Sequence, residues 1–284
     1  MMLGIAPELA PLFAFLVGAC MGSFLNVCIA RWPREQSVVR PRSRCPKCGH
    51  QLAWFENIPI VSWLALRARC RCCTESISPM YIIVEVTVAL GWLAAVLAFG
   101  PTFSAIRVAV FGTVLLGVAL TDAQTYLIPD GFTLFGLFWT ILTAILGFFL
   151  GQSSLFAGPY EALIGACAGA GMIAIVGWLG EVALRKEAMG LGDVTLMAFI
   201  GGALGPQRAI MTVFVASALG AITFLGVVYP ITWFRRTHTR EQTELALGGA
   251  PFTAPLVPFG VFLAPAAMLT LLWGETWLGW LLRS

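Results

Sequence analysis

Seven stretches of this 284-residue chain, near 9–30, 80–99, 104–121, 132–150, 160–184, 209–234 and 256–273, are predominantly apolar. About 20 such residues in helical form cross the roughly 30 Å of hydrocarbon in a bilayer. A shorter apolar stretch covers 194–204. Inside a membrane every backbone N–H and C=O must be bonded within the protein, so stretches of this length can only be helices. A content of 59% hydrophobic and 11% charged residues excludes an ordinary water-soluble domain. The expectation is an all-α polytopic transmembrane helix bundle of about eight spans with a small cytoplasmic loop. It divides the chain into a first span at 1–30, a loop at 31–79 and a membrane core at 80–284.

The charges orient that bundle. No Lys or Arg precedes the first apolar run, whereas Arg31 and Arg34 follow it at once. A secretory signal peptide has the reverse order. Basic residues mark the cytoplasmic side, which puts the amino terminus outside and 31–79 inside. With eight alternating spans, all of the 17 basic residues except Arg107, Arg208 and Arg283 fall on the cytoplasmic side. The loop alone carries nine of them against Glu35, Glu56 and Glu75. Such a basic segment controls topology and attracts anionic membrane lipid; it does not read as a nucleic-acid surface.

Within the loop, Cys45-Pro-Lys-Cys48 is followed by Cys70-Arg-Cys-Cys73. A two-residue gap lets one tight turn present two thiolates to a single ion, so two such turns complete a tetrahedral four-sulfur zinc shell at Cys45, Cys48, Cys70 and Cys73. Cytoplasmic thiols stay reduced and available for metal. Cys72 could replace Cys73, and His50 could substitute as a ligand. Cys20, Cys28 and Cys167 lie in apolar spans and read as packing residues. His238 falls in a basic loop and carries no role.

Three aspartates sit where apolar stretches meet loops: Asp122, Asp130 and Asp193. A carboxylate at a membrane edge is expensive and marks a reaction or transport site. Two crossings separate Asp122 from Asp193, so both return to the cytoplasmic face. Gly190 and Gly192 precede Asp193, removing bulk and freeing the backbone there. The stretch from Asp193 to Gly205 spans only about 20 Å as a helix, which suggests a recessed helix or thinned bilayer. Paired carboxylates share one proton, the arrangement that activates water for hydrolysis. A proton-coupled transporter could use the same pair, and the residues alone leave both readings open. Asp130, after Pro129, reads as a helix cap. Glu85 and Glu181 read as interfacial.

In their order along the chain, Gly22-Ser-Phe-Leu-Asn-Val27 with Arg31 and Pro33, Cys45 through Cys48, Glu56-Asn-Ile-Pro59 with Ser62-Trp63, Asp122 with Pro129-Asp130, Gly190 through Asp193, and Pro258-Phe-Gly260 closely resemble the prepilin peptidase family. These are type IV leader peptidases, integral-membrane aspartic proteases of the bacterial inner membrane. The resemblance implies that Asp122 and Asp193 are the catalytic pair, the second in a G-x-G-D motif. It implies a type IV prepilin or type II secretion pseudopilin as substrate, cut at the cytoplasmic face. It also implies methylation of the new amino terminus with S-adenosylmethionine, although no glycine-rich nucleotide fingerprint is visible. Gly18-x-x-x-Gly22 reads instead as a helix-packing pair. Two positions depart from the family: Thr195 stands where many relatives have lysine, and Ala68 where glycine is usual.

Overall fold

The computed structural model describes residues 8–151, 155–185, 189–228, 230 and 258–281. Lys186, Arg235, Arg236, His238, Arg240 and Arg283 lie outside the described residues. Among the described residues the long helices are α1 (Ala10–Arg31), α3 (Met80–Phe99), α4 (Phe103–Thr125), α5 (Asp130–Phe149), α6 (Pro159–Leu184), α8 (Pro206–Thr223) and α9 (Gly260–Leu281). Two shorter helices, α2 (Val61–Ala65) and α7 (Leu191–Leu204), complete the set. Among the described residues seven helices are long and apolar enough to cross a membrane, and α7 is the shorter apolar element. The described residues hold no strand, only two isolated bridges in the loop between α1 and α3.

Small residues bring the helices together. A Cβ on Gly18 would lie 2.8 Å from the Ala89 Cα, and one on Gly22 2.7 Å from the Glu85 Cα, so α1 rests directly on the α3 backbone. The contact of α6 with α7 is closer still. A Cβ on either Gly165 or Gly201 would lie 2.1 Å from the carbonyl oxygen of the other, and Gly169 approaches the Met197 carbonyl in the same way at 2.3 Å. Lipid offers helices no hydrophobic incentive to associate, so close backbone packing supplies it.

The shortness of α7 follows from its place. It packs against α5, α6, α8 and α9, with Leu196, Met197, Phe199, Ile200 and Ala203 wholly buried. Protein rather than hydrocarbon surrounds it, and a helix in that position has no bilayer thickness to match. Two of the basic residues expected on the outer side are likewise internal. The Arg107 guanidinium stacks 4.3 Å from the Phe156 ring centroid. Arg208 donates from Nε to the Leu204 carbonyl at 2.8 Å and from Nη1 to the Leu155 carbonyl at 2.7 Å. They hold the bundle together rather than flanking a span, which explains why they escape the charge asymmetry.

Candidate active site and metal centre

α4 does not stop where its apolar run stops. It continues through Asp122 to Thr125 and ends at Tyr126, whose left-handed backbone (φ 56°) lets its N–H reach the Asp122 carbonyl. Thr121 and Thr125 donate their hydroxyls to the carbonyls one turn back, at 2.7 and 2.8 Å, giving the polar turn internal partners. Asp122 is thereby held inside the bundle, only 4% exposed.

Three helix starts converge on it. Ile128, in the short connection to α5, fills the space between them. A Cβ at position 192 would lie 2.9 Å from the Ile128 Cβ, and one at position 260 would lie 3.1 Å from its Cδ1 and 2.8 Å from the Asp122 Oδ2. Gly192 and Gly260 are therefore small because α7 and α9 begin against the same loop. The expectation of unusual backbone at the glycines before Asp193 does not hold. Gly190 has φ −79° and ψ 154°, which any residue adopts, and a Cβ there would only touch the Asp193 Oδ2 at 3.9 Å.

Asp193 is the third residue of α7, its N–H bonded to the Gly190 carbonyl at 3.2 Å. Its carboxylate faces the Gly190 N–H and lies within electrostatic reach of Asp122. The N–H groups of Gly260 and Val261 point toward Asp122 from the start of α9, while its buried Oδ2 makes no close hydrogen bond. Thr195, the departure from the family pattern, turns its hydroxyl back to the Gly192 carbonyl at 3.1 Å.

Asp130 stands apart from this pair. It is exposed, and Pro129 occupies the cap position with no side-chain cap bond. Asp130 is an acidic first-turn residue, favoured by the helix dipole rather than by a capping bond. Glu85 also differs from expectation. Buried in α3, it accepts the Ile60 N–H at 2.7 Å. Ile60 forms a tight turn (φ 63°, ψ −53°) closed by the Val61 N–H on the Pro59 carbonyl at 2.6 Å, the strained hand of the γ-turn. Glu85 thus ties the loop to the membrane bundle. Its position one turn into a span made it look interfacial, and nothing in the sequence links it to residue 60.

The four expected cysteines come together, with their sulfur atoms all within 4.8 Å of one another. Cys45 and Cys73 sulfurs are 3.8 Å apart, and Cys48 and Cys70 sulfurs 3.9 Å apart. A tetrahedron built on a zinc–sulfur length near 2.3 Å has edges of about 3.8 Å, so the cluster is able to hold a metal ion such as zinc. The two turns repeat each other. The Cys45 N–H bonds the His50 carbonyl at 2.9 Å as the Cys70 N–H bonds the Glu75 carbonyl at 2.8 Å, and bridges Arg44–Gln51 and Arg69–Ser76 flank them. The Lys47 ammonium and Glu75 carboxylate join one turn to the other. Hydrogen bonds from the Cys48 and Lys47 N–H groups draw the Cys45 thiol down to about 6, toward the thiolate that binds metal.

Cys72 is exposed and outside the cluster, which leaves Cys73 as the fourth sulfur. His50 is also outside it. Its Nε2 lies 3.3 Å from Glu56, whose carboxylate accepts the Ala53 N–H at 2.8 Å. Among the remaining cysteines only Cys28 is buried; Cys20 and Cys167 are exposed.

Gly260 was the site residue hardest to read. Pro258-Phe-Gly260 signals a helix start, as Pro129-Asp-Gly131 does, but only the folded chain brings its amides to Asp122.

Residues 16–99 match the bacterial peptidase A24 N-terminal domain, and residues 109–225 match the type IV leader peptidase family. The chain is 38% identical to a prepilin leader peptidase/N-methyltransferase of Myxococcus xanthus over 91% of its own length and 78% of the relative. It is 35% identical to the protein of that name from Stutzerimonas stutzeri, covering 93% of this chain and 91% of the relative. The Pseudomonas aeruginosa protein of that name is 34% identical over 93% and 90% respectively. No solved structure matches. These matches give the transporter reading no support, and by descent as well as by motif the chain belongs to the type IV leader peptidase family.

Proposed function

We propose that this protein removes the leader peptides of type IV prepilins or type II secretion pseudopilins, with Asp122 and Asp193 as its catalytic pair, and methylates the amino terminus so exposed. The observation that carries the reading is that these two carboxylates, from separate helices, lie within electrostatic reach of each other at a junction of helix starts. Two neighbouring carboxylates share a proton. The charged one takes a proton from water as it attacks the scissile carbonyl, and the protonated one polarises that carbonyl. Collapse of the tetrahedral intermediate sends a proton to the departing amine. The amides of Gly260 and Val261 face Asp122 from the start of α9 and orient its carboxyl group. Gly190 and Gly192 support the site, the latter by letting α7 approach Ile128.

The same reading places the enzyme in the bacterial inner membrane, amino terminus outside and the aspartates at the cytoplasmic face; the distribution of basic residues supports this. It divides the chain into a first span at 1–30, a cytoplasmic zinc loop at 31–79 and a protease core at 80–284. Zinc bound to Cys45, Cys48, Cys70 and Cys73 would organise the loop, which has little core of its own. Methylation rests on the names of the relatives. S-adenosylmethionine is the implied methyl donor.

Mass spectrometry of a co-expressed prepilin tests both activities at once. The expected product has lost its leader and gained one methyl group. Asp122→Asn and Asp193→Asn should each lower leader removal by at least about 10³-fold, within the usual range for acid–base catalysis. A full rate in either variant, with the enzyme present in the membrane, contradicts the assigned pair.

A further inference from the structure

A cavity of about 480 Å³ separates α1 from the cysteine loop. Its helix wall runs from Cys20 through Phe24 and Val27 to Arg31, and its loop wall includes Val39, Arg42 and Trp54. Cys20 and Phe24 lie on an exposed face of a membrane-spanning helix, so this wall faces hydrocarbon rather than water. From Cys20 to Arg31 the helix rises about 16 Å. One leaflet of a 30 Å hydrocarbon core is about 15 Å deep. The wall therefore reaches from the membrane surface to about the midplane.

At the surface end the lining changes to cations. The Arg31 guanidinium is held there by an Nη1 bond to the Ser37 carbonyl at 2.9 Å, and Arg42 stands across from it on the loop. The loop wall sets exposed apolar side chains beside Arg42, Ser43 and Asn57. Val39 is 78% exposed and Trp54 81% exposed, and Val61 and Leu64 of the same loop are exposed too. Aromatic and aliphatic side chains beside basic ones are the composition of a segment lying on the membrane interface.

We propose that this cavity is a binding site for one anionic phospholipid, its phosphate between Arg31 and Arg42 and one acyl chain along Val27, Phe24 and Cys20. Depth, apolar wall and paired cations fit that molecule together. A free phosphate would leave the apolar wall uncovered, and a zwitterionic lipid would leave the two charges without a net partner. The bound lipid joins the loop to α1, with Pro59 of the same lining next to the Ile60–Glu85 tie.

The experiment uses the full-length protein, first in nanodiscs of phosphatidylcholine mixed equally with phosphatidylglycerol, then extracted and analysed for retained lipid by native mass spectrometry. At about fivefold for each basic residue near a surface, two arginines predict a preference for phosphatidylglycerol of roughly 25-fold. Arg42→Gln, an exposed change, should reduce it to about fivefold. A phosphatidylglycerol with a photoreactive acyl chain should label the α1 face at Cys20, Phe24 or Val27. Equal retention of the two lipids, labelling confined to other helices, or inorganic phosphate displacing the retained lipid would each overturn the proposal. Val27→Trp, which fills the path between the phosphate and the deep end, should abolish the label at Phe24 and Cys20; an unchanged label there overturns the assigned path of the chain.

Discussion

The membrane bundle and the cysteine loop are built on opposite principles. In the bundle, helices meet where side chains are missing: Gly165 on Gly201, Gly18 on Ala89, Gly192 on Ile128. In the loop, residues 31–79 fold around four sulfurs and a few short turns, with Cys45, Glu56 and Cys70 among their few buried side chains. One region gains order from close packing spread over many contacts. The other concentrates it at a single point. A change that ruins one should therefore leave the other standing.

Metal removal is the strongest way to break the comparison. Structural zinc contributes on the order of 10 kcal/mol to the folding of small domains. Chelation should expose residues 31–79 to protease while helical circular dichroism from the bundle persists. Equal resistance with and without chelator would mean that the loop holds itself together. Gly201→Ala strikes the opposite region. Its new Cβ meets the Gly165 carbonyl 2.1 Å away, and overpacking of this kind costs about 1–3 kcal/mol. The variant should unfold at lower temperature in detergent yet keep its metal content. An unchanged melting temperature would show that α6 and α7 can separate at no cost.

The smallest effect sharpens the comparison within the loop. The first cysteine turn is followed by Gly49 at φ 71°, the second by Thr74 at φ 56°. A left-handed backbone costs a side-chain-bearing residue about 1–2 kcal/mol. Thr74→Gly should therefore stabilise the loop by about 1 kcal/mol, read as a higher chelator concentration needed to open it. Gly49→Ala should act in the reverse direction. Ala68, at φ 57°, occupies the same kind of backbone, one that glycine adopts without that cost.

Much of this architecture could be read from the chain because the governing signals are local. Apolar length marks the spans, and paired two-residue gaps mark the four cysteines that cluster. Boundaries were less legible. α4 was expected to end near 121, but it continues to Thr125 because Thr121 and Thr125 bond back to the helix and Tyr126 closes it. The last apolar run covers 256–273, whereas α9 runs from Gly260 to Leu281. Its start follows Pro258, and Trp277 and Trp280 continue it beyond the apolar run. Long-range relations were not legible at all. Nothing near Glu85 announces Ile60, and nothing near Asp122 announces Gly260, since each depends on how helices distant in sequence come to lie side by side.

The place of α9 also orders events in time. Asp122 and Asp193 are both synthesised before residue 260, yet the amides facing Asp122 belong to Gly260 and Val261. A ribosome that has released both acids into the membrane has still not supplied the third helix start around them. The surroundings of Asp122 are completed only when the last of these helices inserts, so a nascent chain carries both acids before the setting of the first is complete.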